Sequence, residues 1–227
     1  MPARELLRAG LLVEVSLLVV GMDGPAGSYG IAVREASQEL GARVDLHTVG
    51  DGAAVDETAM DTAVASILAE KGGLDVLVVD GSALFAAGGL GACLEGVWEA
   101  TRAVAGGAFL PAARSGRIAY LAPAPGADRS KIVKQADAAR AGLENLARTL
   151  SVEWARHGIT VVTIALGDGT APGEVAALVA YLASPAGAYF SGCQLDLRGV
   201  VSRASRDPAA RRAARDRGGR GPYPRPR

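Results

Sequence analysis

The fold of the chain is decided by two segments, GRIAYLAP at residues 116–123 and AARAGLENLARTLSVEWARHGITVVTIALG at residues 138–167. They predict a strand (Arg117–Ala122), a long helix (about Ser130–Arg156) and a second strand (Ile159–Ala165). One face of the helix is apolar, because its apolar residues recur at intervals of three or four: Leu143, Leu146, Leu150 and Trp154. A strand, a crossover helix and a parallel strand form a right-handed βαβ unit.

The second strand of this unit is apolar without alternation, as expected of a strand covered by helices on both faces. Outward from it, strands and helices continue to alternate, with further strands predicted at Leu11–Gly21, Arg43–Thr48 and Leu74–Val79. Helices are predicted at about Tyr29–Leu40, Val55–Glu70 and Leu90–Pro111, and a closing helix and strand follow Glu174. The pattern predicts an α/β fold: a three-layer, Rossmann-like, doubly wound parallel sheet of about six strands.

The length and composition favour one domain followed by a tail. With 227 residues, 49% of them hydrophobic, the chain can bury a single core over residues 1–200. The segment 201–227 carries nine Arg and two Asp, a net charge of +7, so the rest carries −7 in a chain of zero net charge. Its Arg, Ala, Pro and Gly cannot bury an apolar face, and aromatic residues are not interleaved with the charges. We therefore expect a disordered overhang rather than a nucleic-acid-binding segment.

The cysteines and the apolar segments bear on location. Cys93 and Cys193 show neither metal-ligand spacing nor a disulfide framework, which suits a reducing compartment. The apolar segment Leu11–Val20 contains Glu14 and is too short to span a bilayer. We expect a cytoplasmic protein with no membrane partner and no metal site.

The strands, the long helix and a glycine-rich turn after the first strand resemble the short-chain dehydrogenases/reductases over roughly residues 11–200. The resemblance implies an NAD(P) cofactor and assigns its binding glycines to Gly21, Gly27 and Gly30. Ser28 and Tyr29 stand where the family has Gly-Ile, and a turn that merely connects strand to helix explains the glycines at least as well. The tip of the second strand, His47-Thr48-Val49, also lacks the acidic or basic side chain that would select a ribose or its 2′-phosphate.

The resemblance assigns the family's Asn-Ser-Tyr-Lys tetrad to Cys93, Pro123, Ala136 and Arg140. Carbonyl reduction needs a phenol to donate a proton and a hydroxyl to hold the substrate oxygen. Pro and Ala supply neither, and an arginine cannot relay a proton at physiological pH. Nearby Tyr120 is better explained as a packed aromatic of a buried strand. A solvated helix face best explains the other polar residues near the tetrad: Lys131, Lys134, Asp137 and His157.

Two connecting segments of the chain are too short to contain parts that the family's architecture has at these places. One helix leads from the second strand directly to Leu74–Val79, without the family's additional strand and helix at the adenine side. Only six residues separate Gly167 from Glu174, where the family has a substrate lid. Asp80 follows the third strand in place of the family's Asn-Asn-Ala-Gly turn, and we expect an exposed acid at the strand end. Arg198 replaces the Asp of the family's closing turn.

These losses fall on the site and leave the scaffold, so the leading hypothesis is a non-catalytic subunit that stabilises or regulates an active homologue in a hetero-oligomer. The resemblance places the partner against the helices near 90–111 and 130–156, and no cofactor is then needed. One alternative is an NAD(P)-dependent oxidoreductase with a remodelled site built from Asp80, Cys93 and Arg140. Another is a small-ligand-binding Rossmann protein that uses the crevice at the carboxyl ends of the strands.

Overall fold

The computed structural model of the chain describes residues 3–24, 27–50, 54–112, 115–125 and 131–199. The side chains of 4 and 131–134 are not among the described parts. The predicted basic tail, 201–227, lies outside the described residues, so its disorder stays a prediction.

Six parallel strands form one sheet in the order β2-β1-β3-β4-β5-β6. This confirms the predicted doubly wound α/β fold. The strand order reverses next to β1, which pairs with β2 on one side and with β3 on the other. The strands are β1 (Ser16–Met22), β2 (Arg43–Val49), β3 (Val76–Val79), β4 (Arg117–Ala122), β5 (Thr160–Ala165) and β6 (Gln194–Asp196).

Helices cover both faces of the sheet, and each face has its own apolar core. The helices are α1 (Ala3–Leu6), α2 (Ser28–Glu39), α3 (Glu57–Lys71), α4 (Gly81–Val104), α5 (Lys131–Glu153) and α6 (Pro172–Ala183). Apolar residues of α3, α4 and α5 pack on one face, and those of α1, α2 and α6 pack on the other. Every residue of β1 and β3 is buried, because both strands are sandwiched between the two helical layers.

The central βαβ unit folds as the sequence predicts. β4 has the predicted bounds, and α5 continues into a short 3₁₀ turn at Ala155–His157 that ends at Gly158. Gly158 has a φ of 70°, in the left-handed region where glycine costs least, and its N–H donates to the carbonyl of Ala155. This turn reverses the chain into β5.

A helix begins at Leu90, directly after Gly89, as predicted, and a shorter helical segment over 81–88 that was not predicted precedes it; the two together are α4 (Gly81–Val104). Asp80 caps it, since its side chain accepts from the N–H of Ala83, and the helix is kinked at Gly89, where φ is 72° and ψ is −154°. Such a backbone conformation is open almost only to glycine. The Gly-Gly pair at the kink interrupts the spacing of apolar residues, so the helical turns before it could not be predicted from periodicity. After α4 the helix widens to a π-helical turn at Ala105–Phe109.

Two expected absences appear directly in the element order. α3 leads straight into β3, and β2 is the last strand on its side of the sheet, so within the described residues no additional unit covers that edge. Only residues 166–171 connect β5 to α6. No helix in the described part of the chain has the length and apolarity needed to cross a membrane.

We predict that Gly27→Ala lowers the free energy of unfolding by about 2–4 kcal/mol, because overpacking against a rigid group is among the costliest single changes. A Cβ at position 27 would lie 1.6 Å from the carbonyl oxygen of Met22. The matched control is Gly91→Ala in α4, where a Cβ meets no atom within 4 Å and where alanine should stabilise the helix by about 0.5–1 kcal/mol. Urea unfolding of both variants measures the difference. Equal effects would contradict the close approach at Gly27.

Candidate functional site

The carboxyl ends of the strands are where an open α/β sheet normally binds ligands, at the point where the strand order reverses. In this chain β1 ends there in the glycine-rich turn, and β3 ends at Asp80, next to it. The loop after β4 begins at Pro123, and residues 166–171 follow β5. The site is therefore built from four strand ends, and each of them carries a residue singled out in the sequence.

Asp80 is the charged group at the centre of this edge, and its side chain is 0% exposed. The expectation of an exposed strand-end acid is wrong, because the early start of α4 encloses the carboxylate. One oxygen, Oδ1, accepts from the N–H of Ala83 at 3.0 Å, and the other, Oδ2, accepts from the N–H of Gly30 at 3.0 Å. One carboxylate thus joins the first turns of α4 and α2.

Burial sets the ionisation of this carboxyl group. Desolvation raises the pKa of Asp80 from 3.8 to about 6, although the backbone N–H groups of Ala83, Gly30 and Ser82 donate to it and lower the pKa in part. At neutral pH the group is mostly ionised, and its negative charge then lies between two helix N-termini, which favour an anion.

Tyr29 forms a second link across the same edge. Its hydroxyl donates to the carbonyl of Thr170 at 3.1 Å, so the first turn of α2 is tied to the short connection after β5. The hydroxyl of Thr170 in turn accepts from the N–H of Gly167 at 2.8 Å and donates to the carbonyl of Leu197 at 3.3 Å. Partial burial and the charges of Asp80 and Asp168 raise the pKa of the Tyr29 phenol. That direction is opposite to the one an acid catalyst needs.

The glycine-rich turn does not fit the diphosphate of a dinucleotide. In such a site the helix N-terminus offers its free N–H groups to the phosphate oxygens. Here the N–H of Gly30 already donates to Asp80, and the carboxylate lies 3.5 Å from where a Cβ at Gly30 would be. A diphosphate at this turn would find this donor occupied and would lie near a negatively charged carboxylate. Gly21, Gly27 and Gly30 are present at the turn, and the space around them is used for packing against Met22, Val19 and Asp80.

Cys93 lies in the core of α4 and is 0% exposed. Burial, with a smaller contribution from the charge of Asp80, raises the pKa of its thiol to about 12. The sulfur packs against the start of the same helix, 3.4 Å from where a Cβ at Gly81 would lie. Asp80 and Cys93 are therefore brought near each other, as a remodelled site would require. Neither is accessible, and the thiol is too weak an acid to supply a nucleophile.

Arg140 and Pro123 form the second pair among the tetrad positions. The guanidinium of Arg140 donates to the carbonyl of Pro123 at 3.3 Å and forms an ion pair with Asp137. Only 8% of Arg140 is exposed. Ala136, on the preceding turn of α5, is buried and presents only a methyl group. The guanidinium is thus bonded to the first residue after β4 and to a neighbour on its own helix.

Three other polar residues singled out in the sequence, Tyr120, His157 and Arg198, have structural partners, whereas the side chains of Lys131 and Lys134 lie outside the described parts. Tyr120 is buried as predicted, and its hydroxyl lies 2.9 Å from the hydroxyl of Thr101; burial raises the pKa of the phenol well above its ordinary value. His157 accepts from Arg156 at the end of the 3₁₀ turn. Arg198 pairs with Asp196 through two hydrogen bonds, of 2.9 and 2.7 Å, which lower the pKa of Asp196 to about 2.

One cleft of the described structure lies at the opposite edge of the sheet. It has a volume of about 450 Å³ and is lined at the amino ends of β4 and β5 by residues that include Ser115, Arg117, Ser151, Thr160 and Ser191. The described residues of its lining include no acid, and the cation among them, Arg117, donates to the carbonyl of Ala183. No cluster of metal-ligating side chains occurs among the residues described. This cleft is separate from the crevice at the carboxyl edge that one hypothesis requires.

Sequence reasoning missed two roles at this edge: Asp80 caps α4, and Tyr29 links α2 to the connection after β5. An Asp three residues before Ala83 is a standard helix N-cap signal and could have placed the start of α4. The link between Tyr29 and Thr170 spans 141 positions and leaves no local trace in the sequence.

Comparison with known proteins identifies the fold. No model of a protein family matches the sequence, and no curated protein matches it. A short-chain dehydrogenase from Mycobacterium smegmatis superimposes with a TM-score of 0.69 at 21% identity, over 85% of this chain and 95% of that chain. A short-chain dehydrogenase/reductase of Serratia marcescens, a mutant form, gives 0.64 at 19% identity over 82% and 96%. A hydroxysteroid dehydrogenase from Escherichia coli gives 0.63 at 16% identity over 84% and 98%. The chain has the short-chain dehydrogenase/reductase fold, as the resemblance implied.

We predict that stability depends on pH through Asp80. Because its pKa in the folded state, about 6, exceeds the ordinary 3.8, the folded chain binds this proton more tightly. Its contribution is complete below about pH 4 and is lost as the pH rises through 6, a loss on the order of 3 kcal/mol. Urea unfolding between pH 4 and 7.5 should show this slope in the native chain and not in Asp80→Asn.

The control for this measurement is Asp56→Asn. Asp56 caps α3 by accepting from the N–H of Ala59 at 2.8 Å, in an exposed setting. Its substitution removes a capping carboxylate without removing a buried charge, so the slope should persist. Parallel pH profiles for the native chain and Asp80→Asn would show that Asp80 does not carry the dependence.

Proposed function

We propose that the chain is a non-catalytic subunit of dehydrogenase fold that stabilises or regulates an active homologue in a cytoplasmic hetero-oligomer, and that it binds no nicotinamide nucleotide itself. The observation that carries the proposal is the fully buried carboxylate of Asp80. It occupies the N–H of Gly30 and places negative charge where a dinucleotide would place its diphosphate. A chain that cannot hold the cofactor cannot transfer a hydride from it.

The groups at the tetrad positions support the same proposal. A carbonyl reductase needs an accessible proton donor beside the reacting carbon. The thiol of Cys93 is buried, Pro123 and Ala136 have no proton to give, and Arg140 is bonded to the loop after β4. The remodelled-enzyme alternative, built from Asp80, Cys93 and Arg140, receives no support from this arrangement.

The exposed face of α5 is suited to a partner. Residues at intervals of three and four form one solvent-facing stripe along the helix, and none of them is charged: Ala138, Ala141, Asn145, Thr149 and Val152. Val152 is 78% exposed, and on the neighbouring helix α4 the indole of Trp98 is 44% exposed. An uncharged stripe beside an exposed aromatic is typical of a surface that another protein covers. The two helices are those to which the resemblance assigns subunit contacts.

The partner is tested by native mass spectrometry of the complex captured through a tag on this chain. We expect a second chain of dehydrogenase fold that carries bound nicotinamide, while this chain carries none. Ala141→Glu should reduce the amount of captured partner at least tenfold, because it buries a charge in the interface. The matched control, Ala65→Glu on the exposed face of α3, should leave the complex intact. Equal capture with both variants would contradict an interface on α5.

The cofactor is tested separately on the purified chain. We expect no saturable change in NADH or NADPH fluorescence up to about 1 mM protein, a range that would reveal even weak binding. Reduction of carbonyl substrates by the chain alone at an ordinary rate would overturn the proposal. Ligand-dependent stabilisation without turnover would instead favour the small-ligand-binding alternative.

A further inference from the structure

The edge of the sheet at β2 is a regular strand that nothing in the described residues covers. Its seven residues pair continuously with β1, from Arg43 opposite Ser16 to Val49 opposite Met22, and the register shows no bulge. Exposed edges are usually protected by proline, by charged side chains, especially lysine, by a bulge or by a covering element. β2, with the sequence RVDLHTV, contains neither proline nor lysine. Its charged residues are Arg43, at the start of the strand, and Asp45, which pairs with Lys71 of the same chain.

The hydrogen bonds of β2 show which backbone groups are free to pair. The N–H of Arg43 donates to the carbonyl of Val15 at 2.9 Å, so the backbone N–H and C=O groups of Arg43 point toward β1. Because residues of a parallel strand alternate in the direction of their N–H and C=O groups, the outward positions are Val44, Leu46 and Thr48. The side chains of Val44 and Leu46 pack partly against the core beneath α2 and α6.

We propose that β2 pairs in an antiparallel manner with β2 of a second copy of this chain, with the two-fold axis at Leu46. In this register Leu46 of one copy lies opposite Leu46 of the other, and Val44 of each copy lies opposite Thr48 of the other. All of these are outward positions whose backbone groups exchange hydrogen bonds between the copies. The six-stranded sheet would then continue into that of the partner copy through one new strand pair.

The register also brings complementary side chains together. Asp45 of each copy lies opposite His47 of the other, in the non-hydrogen-bonded pair where side chains approach most closely. Both residues are partly buried and point to the same face of the sheet, because they are two positions apart. Asp45 already forms an ion pair with Lys71 of its own chain, and the imidazole of the second copy adds another donor. The two-fold symmetry produces this pair twice. An unrelated peptide would have to place a hydrogen-bond donor opposite Asp45 by chance, whereas a second copy supplies His47 there through the two-fold symmetry.

The register is tested by cross-linking in a Cys193→Ser background, where the remaining Cys93 is buried. Leu46→Cys should form a covalent dimer under mild oxidation, since the opposed Cα atoms would be about 5.5 Å apart. Thr48→Cys, on the same edge and the same face, should not form a covalent dimer, because residue 48 of one copy would lie about 14 Å from residue 48 of the other. Equal cross-linking of both variants, or of neither, overturns the proposal. An association through α5 would leave both uncross-linked and is thereby distinguished.

A second measurement does not depend on cysteine variants. Sedimentation velocity of the native chain should show a concentration-dependent dimer, and His47→Asp should raise its dissociation constant about tenfold by placing a like charge opposite each Asp45. The control is His157→Asp, which makes the same charge change at the end of α5. A native chain that stays monomeric up to about 100 μM, or a dimer equally weakened by both substitutions, overturns the proposal.

Discussion

A single buried carboxylate determines the arrangement of the carboxyl edge of this sheet. Asp80 accepts N–H groups from the first turns of two helices, one on each face of the sheet, and so holds α2 and α4 at fixed positions over β1 and β3. The glycine-rich turn must then pass close to the backbone of Met22, and Gly27 permits that approach. The internal carboxylate thus satisfies a backbone donor at each of the two helix N-termini, as an anion at a helix N-terminus does.

The described strands and helices form two apolar cores, one on either side of the sheet. The resemblance led us to expect more chain at the β2 edge and between β5 and α6. Both places are short in the described residues, and the two cores form without further elements there. The surfaces that result, an uncharged stripe on α5 and an uncovered strand at β2, are those at which the proposals place other chains.

Local sequence patterns were sufficient for most of the fold. The strands β4 and β5 and the helix between them are fixed by continuous apolar runs and by 3.6-residue periodicity, and their bounds were predicted to within a few residues. The helical segment over 81–88 was not predicted, because Gly89 separates it from the helix that begins at Leu90. The burial of Asp80 could not be predicted from its neighbours, since an acid at a strand end is exposed or enclosed depending on how the next helix returns over it. The bond from Tyr29 to Thr170 is wholly tertiary.

The connection after β5 has a consequence for how this surface behaves in time. Its six residues are held by Tyr29 from α2 and through Thr170 by the backbone after β6, so the segment is already ordered. In enzymes with mobile lids, microseconds to milliseconds pass between open and closed states, and that motion often limits turnover. A segment tied at both sides has no such cycle to complete. Whatever docks against this edge would meet a surface of constant shape, and its association would proceed without the entropy loss of folding a loop.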